Sequence, residues 1–276
     1  MTRPPTDRSL LRFLRSRGDD TAVLNGGEPR SGQRATIAEA LVRAARDLPI
    51  GGQSGVPYEQ IAASPRFAAY RALTRDLRCF DPGALGGRRE RTAFWINVYN
   101  ALVIDAVISF GVRESIREAP GFFHRAAYRV GPYRLALDEI EHGLLRGNRP
   151  LFARLPTPFP DGDPRAALGP GMLDPRVHFA LNCGTRSCPP VAFYEATRLD
   201  EQLDAAAASF INGGGVRLDD DAVVLSPLFS FYEEDFGGAE GAQGWALRYL
   251  EDAELRARLV AQPLRTGEYD WSLNRG

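Results

Sequence analysis

Apolar positions recur at helical spacing over most of this chain and alternate only in a few short stretches. The clearest run is Arg89 to Phe110, RERTAFWINVYNALVIDAVISF, with no Gly or Pro inside it. Phe94, Asn97, Ala101, Ile104 and Ile108 share one face, and Trp95, Val98 and Leu102 widen it, which predicts a helix buried on most sides. Helical spacing also covers Thr36 to Leu48, Tyr58 to Cys79 with an interruption at Pro65, Thr197 to Asn212, and Gln243 to Leu250, with a further helix toward Val260. Ala126 to Leu137 alternates around Gly131-Pro132, and Val216 to Ser226 alternates around an acidic turn, so each predicts a hairpin. Asp138 to Arg146 reads as a short helix with Asp138, His142 and Arg146 on one polar face. His178 to Cys183 alternates as a strand does, and Arg149 to Pro175 reads as a long loop.

These elements predict an α+β fold, with an N-terminal helical lobe packed on a small, mainly antiparallel sheet and the long helix buried against it. Residues 1–34 read as an N-terminal helix and linker, and residues 35–276 as a single domain.

Composition narrows the chemistry. An apolar fraction of 44% with 25% charged residues is that of a soluble globular protein. The net charge is −1 and no basic run occurs, so neither nucleic acid nor an anionic membrane is an expected partner. The longest apolar stretch, Ala101 to Val112, is broken by Asp105 and is short for a membrane span, and the N-terminal residues show no apolar signal region. The expectation is therefore a cytoplasmic protein with reduced thiols. All 34 basic residues are arginine, which excludes lysine Schiff-base enzymes, P-loop NTPases and ordinary kinases. The residues call for no cofactor.

Two of the three cysteines and one of the three histidines lie within Val177 to Pro190, VHFALNCGTRSCPP. Thiol and imidazole are the side chains most readily tuned to react near neutral pH. As a strand, this segment would place His178 and Cys183 on opposite faces and keep them from pairing. Cys188 follows a turn and is free to face either side. It is the leading nucleophile, with Cys183 second, and His142 or His178 is the base, with Asp138 or Glu141 orienting His142. Backbone amides around Gly184, with Asn182 or Asn97, are expected to receive an oxyanion, and Asn182 is alternatively an orienter. Asn97 sits on an apolar stripe, and with Asn100 either braces a neighbouring loop or joins the site. Arg146 and Ser187 complete the substrate-binding candidates, and the arginines favour an anionic small molecule or peptide. Cys79 reads as core.

AFWINVYNALVI, LALDEIEHGLLR, HFALNCGTRSCPPV and YDWSLN, in that order from roughly Arg71 to Asn274, resemble the DUF547 family. The resemblance implies that Asn97, Tyr99, Asn100, Glu141, His142, His178, Cys183, Ser187, Cys188, Asp270 and Asn274 occupy recurring family positions. It implies no settled activity. A buried helix followed by a histidine-led segment also looks like transglutaminase and papain-type cysteine hydrolases, by analogy alone. Those enzymes start the buried helix with their cysteine, and TAFWINVYN has none.

Three readings stay open. One is a cysteine–histidine hydrolase or acyl transferase acting on an amide, ester or thioester. Another is a non-catalytic scaffold held by a polar network. The third is a zinc or redox site built on Cys183 and Cys188.

Overall fold

A computed structural model describes residues 22–29, 37–48, 55–152, 155–219 and 222–275. Its spine is the helix Arg88–Ser109 (α1), which begins after Gly86-Gly87 and ends before Gly111, whose φ of +66° favours glycine. Every residue from Thr92 to Val107 in α1 is buried. The helix is long and apolar enough to cross a membrane by composition, but 89% of its most apolar window is enclosed by the rest of the chain. Ahead of it, Tyr58–Ala63 and Pro65–Thr74 are helices split at Pro65, where Ser64 caps the second through the Arg66 amide.

The fold is α+β, with the strands divided between two three-stranded sheets rather than gathered in one. Each sheet is mixed. In the first, the Gly131-Pro132 hairpin pairs Ala126–Val130 with Tyr133–Ala136, and Ala22–Val23 adds in parallel, with Ala22 opposite Ala126. In the second, Val216–Asp219 pairs antiparallel with Ala222–Leu225, and Leu264–Thr266 adds in parallel. Parallel neighbours come from distant parts of the chain, so local alternation gives no warning of them.

Two expectations on the N-terminal segment part company here. The helix expected within residues 1–34 lies outside the described residues. Ala22–Val23, expected in the N-terminal segment ahead of the domain, are a strand of the first sheet, and buried Asn25 beside them bonds to Thr74 and Arg129.

The largest correction concerns His178 to Cys183, which is not a strand. Asp174 accepts the Arg176 amide, Pro175 opens a tight 3-10 turn over Pro175–Phe179, and the chain then runs extended without sheet partners. The alternation VHFALN arises because this turn is buried on several sides. The argument that His178 and Cys183 face apart falls with the strand. The Asp138 helix is also altered, since Glu139–Leu145 forms a π-helical turn in which the Arg146 amide reaches Glu141 O at 2.8 Å.

Candidate active site

The buried helix holds the cysteine loop from beneath with two asparagines. Asn100 donates to the carbonyls of Ala180 and Ala192 at 2.9 and 3.0 Å and accepts the Asn182 amide at 2.9 Å. Asn97 accepts the Tyr194 amide and donates to the Tyr194 carbonyl. Both ends of the loop are therefore fastened to one rigid element. Asn182 closes the loop on itself by donating to Pro189 O and accepting the Gly184 amide. Gly184 has φ of +85°, a left-handed conformation that suits glycine.

The chain from Tyr269 to Asn274 packs over the outside of this loop. Ser187 accepts the Asp270 amide, Thr185 bridges to Leu273, and the Asn274 amide donates to Gly184 O at 3.0 Å. Tyr58 in turn donates to Asn274 Oδ1 at 2.6 Å.

Cys183 and Cys188 are joined in a disulfide, which overturns the expectation of reduced thiols. Cys79 is free and half-buried. The Cys183 amide donates to Cys188 Sγ at 2.9 Å. Tyr269 Oη lies 3.1 Å from the Cys183 sulfur and 3.2 Å from that of Cys188, and Thr185 Oγ1 lies 3.2 Å from Cys183. Thr185 Oγ1 donates to Tyr269 Oη at 3.1 Å, and disulfide sulfurs carry no proton, so the Tyr269 hydroxyl is the one that donates toward the disulfide.

Beside the disulfide is a cavity of about 90 Å³ lined by Asp138, Glu141, His142, His178, Tyr232 and both cysteines, among others. Five residues singled out from the sequence as catalytic candidates thus meet at one place. Behind them is a buried charge cluster centred on Asp235. Its carboxylate accepts from Arg146 Nε at 2.5 Å, from Arg149 Nη1 at 2.8 Å and from His178 Nε2 at 2.9 Å. Arg146 Nη1 also meets His142 Nδ1 at 3.0 Å.

These partners set both tautomers. A guanidinium has no acceptor to offer, so His142 Nδ1 accepts from Arg146 and the ring proton sits on Nε2. A carboxylate has no proton to give, so His178 donates from Nε2 to Asp235 and keeps its lone pair on Nδ1. That Nδ1 is buried and has no hydrogen-bond partner. The His178 ring is fixed further by stacking on Tyr232 at 3.8 Å between centroids. The cavity thus holds one imidazole set to donate and one set to accept.

Burial pushes the His142 pKa down to about 4, with Arg146 adding to the effect, so the ring is neutral at ordinary pH. Burial also lowers His178, against the raising pull of Asp235. Burial would raise Asp235, but His178 and Arg146 hold its carboxyl well below the usual carboxylate range. Glu141 is likewise pushed up by burial and drawn lower overall by the neighbouring histidines, Arg146 and the donating Tyr232 hydroxyl. Asp138 has no such cation, and burial together with the Glu141 and Glu139 charges raises it to about 7.

Several candidates stand elsewhere. The Asn97, Asn100 and Asn182 amides bond to backbone, and none of the three lines the small cavity. Ser187 faces the outer side of the loop. The amides expected to hold an oxyanion are occupied, Gly184 by Asn182 and Cys183 by the Cys188 sulfur. His142 is oriented by Arg146, with Glu141 3.8 Å from the same nitrogen, and Asp138 makes no bond to it among the described contacts. Among the described residues no group of three or more His, Cys, Asp or Glu is arranged to hold a metal ion.

Sequence reasoning missed Asp235, Tyr232 and Tyr269 as members of the site. FSFYEEDFGG offers three consecutive acids, and nothing local shows which one faces inward. YDWSLN carried a signal for Tyr269, since an aromatic and polar segment at that position reads as packing back on the domain.

The fold and cavity define an α+β domain whose paired histidines, buried carboxylates and disulfide share one small site. Residues 84–211 match the family DUF547, described as a protein of unknown function. Asp235, Tyr232 and Tyr269 lie beyond the matched stretch. No curated protein and no solved structure matches the chain.

Proposed function

We propose that this protein is a thiol-dependent hydrolase or acyl transferase whose nucleophile is released from the Cys183–Cys188 disulfide by reduction. The observation that carries the reading is that His178, with Nε2 fixed on Asp235 and Nδ1 unpartnered, lines the same cavity as both cysteines.

In the reduced protein Cys188 is the better nucleophile. The Cys183 amide and the Tyr269 hydroxyl stand at its sulfur and stabilise a thiolate there. His178 Nδ1 takes the thiol proton. The Cys188 sulfur attacks the carbonyl carbon of an amide, ester or thioester, and the carbonyl electron pair moves to oxygen. His142 Nε2–H is the donor left to meet that oxyanion, in place of the occupied loop amides. Collapse expels the leaving group, which takes the proton from His178, and leaves an acyl thioester on Cys188. Water or an acceptor nucleophile then attacks the thioester, and the thiolate returns.

The test is alkylation after mild reduction. Each cysteine is followed by peptide mass spectrometry during iodoacetamide labelling from about pH 4 to 9. Cys188 labelling is expected to saturate below about pH 7 and to move toward the free-thiol value of about 8.5 in His178→Ala. If both cysteines follow the ordinary thiol curve in the native reduced protein and His178→Ala changes nothing, the reading fails.

A further inference from the structure

Cys188 lines two cavities. On its inner side is the small histidine cavity, which Cys183 also lines. On its outer side is a larger groove of about 440 Å³, and of the two cysteines only Cys188 reaches it. A volume of several hundred Å³ is that of a small-molecule site. Gly213 and Gly214 form part of its surface, and a side-chain carbon added at either would meet nothing within 4 Å. Arg186 and Arg217 both line the groove and are exposed, and Arg217 approaches Asp219 only to 4.0 Å. Among the lining residues the two guanidiniums face one carboxylate, Glu268, while Asp219 and Asp270 stand near Arg217 and Arg186 outside the lining.

From this arrangement we infer a second activity: the groove admits a small anionic thiol, carrying carboxylates, that exchanges with the disulfide specifically at Cys188. The incoming thiolate attacks the Sγ of Cys188, the one cysteine of the pair that lines the groove. A bond forms between the two sulfurs, the Cys183–Cys188 bond breaks, and its electron pair leaves on Cys183. Cys183 is suited to leave, because the Tyr269 hydroxyl, itself accepting from Thr185, lies 3.1 Å from its sulfur and stabilises the departing thiolate. The same thiol, as a second equivalent, attacks its own sulfur in the mixed disulfide. Cys188 then leaves as thiolate and a small symmetric disulfide departs. Two thiols are oxidised and one protein disulfide is reduced.

This exchange prepares the nucleophile of the proposed acyl transfer but does not depend on that chemistry. Its test reads the adduct rather than turnover, so the two readings fail separately. Oxidised protein is treated with limiting glutathione, quenched in acid and mapped by peptide mass spectrometry. The adduct is expected on Cys188, with Cys183 free. Glutathione is expected to react faster than its diethyl ester, whose carboxylates are blocked, by roughly three- to tenfold, the scale of two exposed charge contacts. The advantage shrinks in high salt and disappears in the double variant Arg186→Ala/Arg217→Ala, with the ester rate unchanged. An adduct on Cys183, equal rates for the acid and the ester, or a disulfide that reacts only after unfolding would each overturn the inference.

Discussion

His178 gives its Nε2 proton to Asp235 at 2.9 Å, which leaves the Nδ1 of the same ring as its one basic nitrogen. The relationship joins two turns that lie 57 residues apart, and it makes a definite statement about proton position. Nitrogen-15 spectra of the imidazoles near neutral pH should show both His142 and His178 as neutral rings protonated on Nε2. A signal from an Nδ1–H tautomer on either ring would contradict the network described above.

Asp235 also pairs with Arg146 and Arg149, and Arg146 is buried with it. Asp235→Ala strands a buried guanidinium and is expected to cost about 3–5 kcal/mol of unfolding free energy. Urea denaturation followed by circular dichroism measures this. A cost below about 1 kcal/mol, ordinary for a surface change, would mean that the carboxylate does not hold the cluster together.

The pH dependence of stability carries two opposing contributions. His142 is lowered from 6.5 to about 4, so the unfolded chain binds its proton first. Its contribution is complete above about pH 6.5 and is lost as pH falls toward 4. Asp138 is raised from 3.8 to about 7, so the folded chain binds its proton first. Its contribution is complete below about pH 3.8 and is lost as pH rises through 7. Between about pH 4 and 6.5 the two largely offset each other. Asp138→Asn removes one side, and its melting temperature is expected to fall more steeply on acidification than that of the unaltered protein. Parallel slopes for the two proteins would sink the assignment.

Asn100 serves three backbone groups at once, the carbonyls of Ala180 and Ala192 and the amide of Asn182. Asn100→Ala leaves these without their partner, at about 1–3 kcal/mol for each that finds no water. Hydrogen exchange is expected to quicken at the Asn182 amide well before the interior of α1 responds. Unchanged protection at Asn182 would show that the loop does not depend on the brace.

Reduction should leave the protein folded. Cys183 and Cys188 are five residues apart, and closing so short a loop constrains the unfolded chain by only about 2 kcal/mol. The melting temperature is expected to drop by roughly 4–8 °C when the disulfide is opened. Collapse of the fold on reduction would rule out any role for a free thiol at this site.

The α1 helix and both hairpins follow from apolar spacing and from Gly131-Pro132, and the structure places them within a residue or two of expectation. The His178 turn was misread because burial on several sides mimics strand alternation. Its real marker was Asp174-Pro175, an N-cap followed by proline at the first helical position. Both parallel strands and Asp235 depend on contacts between distant segments. The spacing of Asp138, His142 and Arg146 places them on one face but does not show that Arg146, rather than an acid, orients His142, nor that a π turn brings Glu141 into the same cavity.

The packing of residues 269–274 over the cysteine loop has a consequence for biosynthesis. α1, the first sheet and the histidine turns are all encoded before residue 180, whereas the hydroxyl that touches both sulfurs comes from Tyr269. A growing chain can therefore assemble its interior and bring its cysteines together while the site still lacks one wall. A polypeptide interrupted before Tyr269 would retain much of the first core and have an unfinished reaction centre, so completion of the site reports that synthesis has passed that point.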